Sequence, residues 1–417
     1  MNYNTGLLTL TTCTLLFFTF ACSTVKQPMQ STDTEFHQKA LELAYRMIIT
    51  DGHIDLPWRL SSKNFPLTSE NAGMLVMSKE GDFDFVRAKK GGMTAPFMSI
   101  YIPSSYQSDL PSAKMKADSL IDMVKWMISS HPDKFGKGDS PQMIESNFVK
   151  GLISLPMGME NGAPMAKLED VKYFYDRGIR YVTLTHGKDN HISDSSYDTT
   201  HTWGGLSPYG IELVKQMNKV GIMVDVSHIS DQAFYKVMDV SSAPVIASHS
   251  SCRYFTPGFE RNMSDEMIKL LGKKGGVIQI NFGSAFLDAE VNKKSKADRE
   301  ELAKILKAAN LHEEDAAAKT IVDEFKKTHP PVFSTVQRVA DHIDHVKNIA
   351  GIDHIGIGSD FDGVGDSLPT GLKDVSMYPN LIEELLRRGY TDDDIEKICY
   401  KNVWRVWNKV IEIAGAK

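Results

Sequence analysis

The chain has 417 residues, 42% of them hydrophobic and 24% charged, with a formal net charge of −6. This ordinary globular composition suits two or three domains or a single α/β barrel, and without a run of basic residues it excludes nucleic acid as a partner. The four cysteines, Cys13, Cys22, Cys252 and Cys399, form no Cys-x-x-Cys pair, which rules out a zinc–thiolate site and a disulfide framework.

The first 25 residues carry no charged side chain, and Leu7 to Ala21 are mostly apolar. That stretch is shorter than the roughly 20 residues of a membrane span and fits the core of an export signal. Ala21-Cys22 followed by Ser23-Thr24 resembles a bacterial lipoprotein signal, although Thr19 stands where such signals carry an aliphatic residue and no Lys or Arg precedes the core. The expectation is a signal peptide over residues 1–22, lipidation of Cys22, a polar tether over 23–36, and a catalytic body over 37–417. The exported protein is expected at a membrane surface, periplasmic or on the cell exterior, with free secretion as the alternative.

A helix over Glu35–Arg46 leads into an apolar strand that ends at Asp51-Gly52 and presents His53 and Asp55. Residues two apart on extended chain point the same way, so this imidazole and carboxylate project together. Further strand-length apolar runs follow at Phe97–Ile102, Gly151–Leu155, Ile179–Leu184, Ile222–Val226, Pro244–Ser248, Val277–Asn281 and His354–Gly358. Helical patterns lie between them at Ser112–Ser130, Lys167–Arg177, Tyr209–Lys219, Asp231–Val240, Asp265–Lys273 and Thr335–Ile349. Strands alternating with helices predict a parallel sheet, and eight such units predict a closed (β/α)8 TIM-like barrel of the metal-dependent hydrolase type. No Gly-x-Gly-x-x-Gly turn follows the first strand to favour an open sheet. Residues 288–328, rich in Lys, Glu and Ala, read as a solvated helical insertion between strands seven and eight.

In such a barrel the active site lies at the C-terminal ends of the strands. The first strand gives His53 and Asp55; the third is followed by Glu160 in a Gly-flanked loop; the fourth gives His186, the fifth His228, the sixth His249, and the eighth Asp360 and Asp362. Singly, each is an ordinary rim or turn residue. Together, four of the chain's 13 histidines and three candidate carboxylates (Asp55, Glu160, and Asp360 or Asp362) would crowd one rim, which stability does not require. Imidazoles and carboxylates without thiolates suit zinc or another divalent first-row metal, and a set this large suits two ions sharing a carboxylate. The reaction class is metal-assisted hydrolysis. His342 and His345 fall on an outer helix and read as packing or surface residues, while His191 and His201 lie in a polar loop, 188–207, that overhangs the site.

The joint pattern His53-Ile-Asp55-Leu-Pro-Trp58, Gly158-Met-Glu160-Asn-Gly162, Leu184-Thr-His186, Asp225-Val-Ser-His228, Ser248-His249-Ser-Ser251 and Gly358-Ser-Asp360-Phe-Asp-Gly363 resembles the membrane (renal) dipeptidase family of zinc peptidases. The resemblance runs from about residue 40 to residue 408, where Lys401-Asn402-Val-Trp-Arg-Val is similar to the family's closing helix. It implies a dipeptidase with two Zn2+ ions, acting on L–L and, in some members, L–D dipeptides by attack of a metal-bridging hydroxide. His53, Asp55 and Asp360 would hold one ion, His228 and His249 the other, and Glu160 would bridge them. His186 would stabilise the oxyanion, Asp360 would pass the proton to the leaving amine, Arg261 would bind the substrate's carboxylate, and Trp58 would wall the pocket. The partners expected are a dipeptide, a membrane reached through the lipid anchor, and, as an allowed assembly, a homodimer.

Two alternatives stay open on the sequence. One is another binuclear amidohydrolase-type enzyme, lactonase-like or aminoacylase-like, many of which bridge their metals with a carbamylated lysine; here Glu160 takes that place and no lysine ends strand three or four. The other is a lipoprotein that binds peptides without catalysis, which a missing ligand would favour; none is missing.

Overall fold

The structure is a computed structural model that describes residues 1–3, 33–311 and 316–415. Cys22, nearly all of the expected signal peptide and most of the tether lie outside the described residues. The tether's last residues belong to the first helix, Asp33–Arg46. Among the described residues no helix is long and apolar enough to cross a membrane.

Eight parallel strands close into a barrel: β1 (Thr50–Ile54), β2 (Ala95–Tyr101), β3 (Met157–Glu160), β4 (Ile179–Thr183), β5 (Met223–Asp225), β6 (Ile246–Ser250), β7 (Val277–Ile280) and β8 (Ile355–Ile357). Each pairs with its neighbours in sequence, and β8 returns to β1 through Asp51 opposite Ile357. Tyr101, Glu160, Thr183 and Asp225 stand opposite one another in successive pairs, so one register row carries polar groups around the rim of β2 to β5. The predicted helices are present, with ends within two residues of expectation, as in Pro208–Val220 for the predicted Tyr209–Lys219. Helix ends are set by Ser207, Ser230, Ser264 and Thr335, whose side chains accept from the backbone N–H three residues on.

One strand is displaced from its expected place. Ile153–Leu155 is extended, but it pairs with Phe135–Lys137 in a separate two-stranded sheet, and the third barrel strand is Met157–Glu160. Two methionines and a glycine make that strand weak in β-propensity, so the more apolar run ahead of Pro156 looks better in sequence. Gly158 is required there: a Cβ would lie 1.9 Å from the Tyr181 ring. Glu160 therefore ends a strand instead of riding on a loop. Likewise β1 and β6 extend further than expected, and place His53 and His249 within strands.

The apolar interior divides into a layer between strands and outer helices and a second cluster at the strands' N-terminal ends. The second is sealed by the last helix, Asn402–Gly415, where Trp407 meets Phe97 at 5.3 Å and Trp404 Nε1 donates to Thr50 Oγ1 at 3.1 Å. That end is thereby closed, leaving the opposite rim open for chemistry. The 288–328 segment forms helices Ala289–Ala308 and Lys319–Thr328, which bury Leu302, Leu306, Val322 and Phe325 between them as a separate small core.

His342 is fully buried and structural. Its Nδ1 accepts from Cys252 N at 3.0 Å and its Nε2 donates to Leu287 O at 3.0 Å, tying the loops after β6 and β7 to the helix Val336–Ala350. His345, one helical turn on, pairs with Asp265 at 2.9 Å. Burial, assisted by the nearby Arg338 charge, pushes the His342 pKa down to about 3 against the stabilising carbonyl of Leu287. Below pH 6.5 the unfolded chain therefore takes up a proton that the folded one refuses, and stability contributed by neutral His342 is lost as pH falls. His342→Gln is expected to cost about 1–3 kcal/mol at pH 7. The gap between wild type and variant in urea unfolding should narrow by about 2 kcal/mol at pH 5; a constant gap would contradict the neutral, accepting imidazole.

Candidate metal centre

The rim of the barrel gathers the predicted residues because β1 and the loop after β8 are laced together. Asp55 N donates to Phe361 O at 2.8 Å and Asp360 N to His53 O at 3.0 Å. Asp51, wholly buried, accepts from His53 N at 2.9 Å and Ser359 N at 3.0 Å, and also from the Tyr378 hydroxyl. His53, Asp55 and Asp360 thus form one cluster in which the potential ligand atoms all lie within 4.8 Å of one another.

Glu160 occupies the centre. Its Oε2 lies 3.3 Å from His53 Nε2, while its Oε1 lies 3.1 Å from His228 Nε2, 3.3 Å from His249 Nε2 and 3.6 Å from His186 Nε2. The two carboxylate oxygens face two different groups of imidazoles. His228 and His249 approach each other to 2.9 Å between Nε2 atoms. His53 and His249 stack at 3.8 Å. A Cβ on Gly363 would stand 2.3 Å from both Asp360 Oδ1 and Asp55 Oδ2, so that glycine keeps a gap between the two carboxylates.

Several of these residues hold uncommon backbone conformations. Asn161, His228 and Asp360 have φ of 75°, 69° and 63°, a left-handed region that side chains other than glycine seldom adopt and that concentrates at functional sites. Burial resists ionisation of Glu160, but the surrounding imidazoles of His53, His186, His228 and His249 hold its carboxyl well below the usual range. Burial pushes His228 and His249 well below the ordinary histidine value, aided by Arg261. Asp360 is raised to about 7, by burial and by the neighbouring Asp55 and Glu160 carboxylates. His53 differs from His228 and His249: burial opposes its charge, but Tyr181 and the Glu160 and Asp55 carboxylates hold its pKa well above the ordinary histidine value. Metals take imidazole ligands in the neutral form, so a cation bound at His53 would displace a proton.

His186 is the most exposed member, with a quarter of its side chain open, and it rests edge-on against Tyr101 at 4.8 Å. Tyr101 in turn meets Trp58 edge-on at 5.0 Å. Arg261 is buried beside the histidines: Nη1 donates to Ser250 Oγ at 2.9 Å and Nη2 to His249 O at 2.8 Å, while Nε has no partner. Asp362 is turned away from the cluster, its Oδ1 accepting from Asp82 N at 2.6 Å and its Oδ2 3.3 Å from Arg59 Nε. His191 points into the fold to Met165 O at 3.0 Å, and His201 is exposed; neither joins the cluster.

Reading strand ends alone passes over Tyr101 at the end of β2 and Asn281 just after β7, whose amide donates to Asp360 Oδ2 at 2.8 Å. Applying the same rule to those two strands finds both. Tyr197, in the 188–207 loop, meets His228 at 5.9 Å and carries no signal in the sequence that separates it from other loop aromatics.

A sequence model of the family described as membrane dipeptidase (peptidase family M19) matches residues 37–417. Among solved structures, the probable dipeptidase PvdM from Pseudomonas aeruginosa is 26% identical, with a TM-score of 0.76 over 91% of this chain and 100% of that one. A metallopeptidase from Rhodobacter sphaeroides, bound to a phosphinate mimic of the dipeptide L-Ala-D-Ala, shares the fold at 22% identity, TM-score 0.70, over 87% and 99%.

Gly363→Ala is expected to leave the circular dichroism spectrum unchanged and to weaken metal retention against a chelator by about 10-fold or more, because the added methyl enters the gap between Asp55 and Asp360. Unaltered retention would mean that this gap is not where a cation sits.

Proposed function

The chain belongs to the membrane dipeptidase family, and from that premise we propose that it hydrolyses dipeptides with two divalent ions, Zn2+ foremost. The observation that carries the reading is Glu160, a buried carboxylate whose two oxygens face separate sets of ligand-type side chains. The donor set fits such ions: imidazoles and carboxylates without thiolates, with His53 Nε2 and Asp55 Oδ1 buried and without hydrogen-bond partners. In this reading His53, Asp55 and Asp360 hold one ion, His228 and His249 the other, and Glu160 both. Ions so bound would supply Lewis acidity and a water acidic enough to react near neutral pH.

The protein's own groups do the rest. Asp360, oriented by the Asn281 amide, accepts the proton released on attack and returns it to the leaving amine. His186 stands at the open edge, where a neutral imidazole N–H can stabilise the carbonyl oxygen as charge develops on it. Arg261 retains N–H groups beyond those given to Ser250 and His249, and these would anchor the free carboxylate of a short peptide. Anchoring the terminus this close to the cluster limits substrates to dipeptides, with a leaving residue of L or, as in the family, D configuration. Trp58 and Tyr101 close the outer side. The proposal includes export and a lipid anchor on Cys22, supported by the uncharged apolar segment ahead of it.

Purified protein is expected to release free amino acids from L–L and L–D dipeptides, to stop when treated with chelator and to recover with Zn2+. A dipeptide amide, lacking the carboxylate, should be cleaved at least about 100-fold more slowly, the order of losing a buried charged pair. Glu160→Gln should cut turnover by orders of magnitude with the fold intact. Equal cleavage of acid and amide would remove Arg261 from its assigned role, and full activity of the Glu160→Gln variant would overturn the two-ion reading.

A further inference from the structure

Two buried hydroxyls behind the site have no part in the chemistry above. Tyr181, in β4, is fully buried, and its hydroxyl touches two groups: Gly52 O at 2.9 Å and His53 Nδ1 at 2.8 Å. Ser248, in β6, is fully buried as well; its hydroxyl lies 2.6 Å from Asp225 Oδ2 and 2.8 Å from His249 Nδ1.

Each hydroxyl has one hydrogen to give. A backbone carbonyl can only accept, so the Tyr181 hydrogen goes to Gly52 O and the hydroxyl oxygen must accept from His53 Nδ1–H. Asp225 imposes the same count on Ser248. Its carboxylate already gathers the amides of Ser248 at 2.8 Å and Ser227 at 3.1 Å and the Thr183 hydroxyl, all as an acceptor, and takes the Ser248 hydrogen too. Ser248 Oγ is left to accept from His249 Nδ1–H. In both histidines a proton is thereby placed on Nδ1, which makes Nε2, the atom that faces Glu160, the nitrogen left to a metal.

We propose that Tyr181 and Ser248, the latter held by Asp225, are positioning residues that fix the tautomers of His53 and His249 and so ready one imidazole for each of the two metal positions. The inference rests on the two-ion reading for its purpose, though not for its geometry. Ring rotation is already restricted, because His53 and His249 stack at 3.8 Å with 27° between their planes. The tautomer is the freedom that remains. His228 provides an internal contrast: its Nδ1 is buried with no partner, so no hydrogen bond holds a proton at that atom. The arrangement also explains why β3 carries Gly158, since the Tyr181 ring occupies the space a side chain there would need.

The test uses the full chain labelled with 15N-histidine, first metal-free and then titrated with Zn2+ against a chromophoric chelator. Imidazole 15N shifts in the wild type should report Nδ1 of His53 and His249 as protonated, with His53 reaching the Nδ1–H tautomer once zinc displaces its second proton. Tyr181→Phe should move only His53 towards the other tautomer and weaken only one of two zinc equivalents, by about 10-fold or more; Ser248→Ala should do the same for His249 and the other equivalent. Ser248→Thr, which keeps the hydroxyl, should restore the wild-type pattern, and it settles the matter even where the alanine variant folds poorly. Unchanged tautomers in Tyr181→Phe, or a Thr variant that behaves like Ala, would overturn the proposal. If the tautomers shift as stated but the chain takes up no zinc, the positioning stands and the metal reading fails.

Discussion

The structure turns on one buried carboxylate. Glu160 sits where a lone charge would be expensive to bury, and it is tolerated because four imidazole nitrogens lie within 3.6 Å of its oxygens. Those imidazoles come from β1, the ends of β4 and β5, and β6, so the carboxylate is satisfied only once the barrel has closed. Each side chain depends on the strand that carries it, and each strand end is braced from behind: Asp51 links β1 to the loop after β8, and Asp225 links β4, β5 and β6. The polarity of the rim is therefore a long-range property of the fold, made at the opposite end from the tryptophans of the closing helix.

This division explains what the sequence reveals. Seven of the expected site residues, His53, Asp55, Glu160, His186, His228, His249 and Asp360, fall into overlapping groups of ligand-type atoms because a strand's end is a position that local pattern can locate. The eight-fold alternation is equally readable, since apolar runs and amphipathic helices are local signals. What escapes depends on partners far away in sequence. Met157–Glu160 becomes a strand because β2 and β4 accept it, not because its residues favour extension. Asp362 resembles a site carboxylate in sequence, and its assignment to Asp82 and Arg59 emerges only when the 78–84 segment folds beneath it.

Hydroxyl groups form the least legible layer. Tyr181 reads as an ordinary strand aromatic and Ser248 as a small residue beside a histidine, yet their single hydrogens are committed to Gly52 O and Asp225. Hydrogen-bond counting within a dry interior assigns them a role that no periodicity could suggest. The wall beyond the cluster is different again. Tyr101 packs on His186 and Trp58, Tyr197 packs on His228, and the loop that supplies Tyr197 is held by Asp189, Asn190 and Asp194 instead of by regular structure. Chemistry rests on rigid strands, and selectivity on loops that can vary without disturbing them.

The central claim is that Glu160 joins two metal positions. The most direct measurement is a crystal structure of the zinc-loaded protein with anomalous diffraction recorded on both sides of the zinc absorption edge. The account predicts two zinc peaks about 3.5–4 Å apart, one on each side of the Glu160 carboxylate. One lies against His53, Asp55 and Asp360, and the other against His228 and His249. A single peak, or a pair that does not share Glu160, would contradict it.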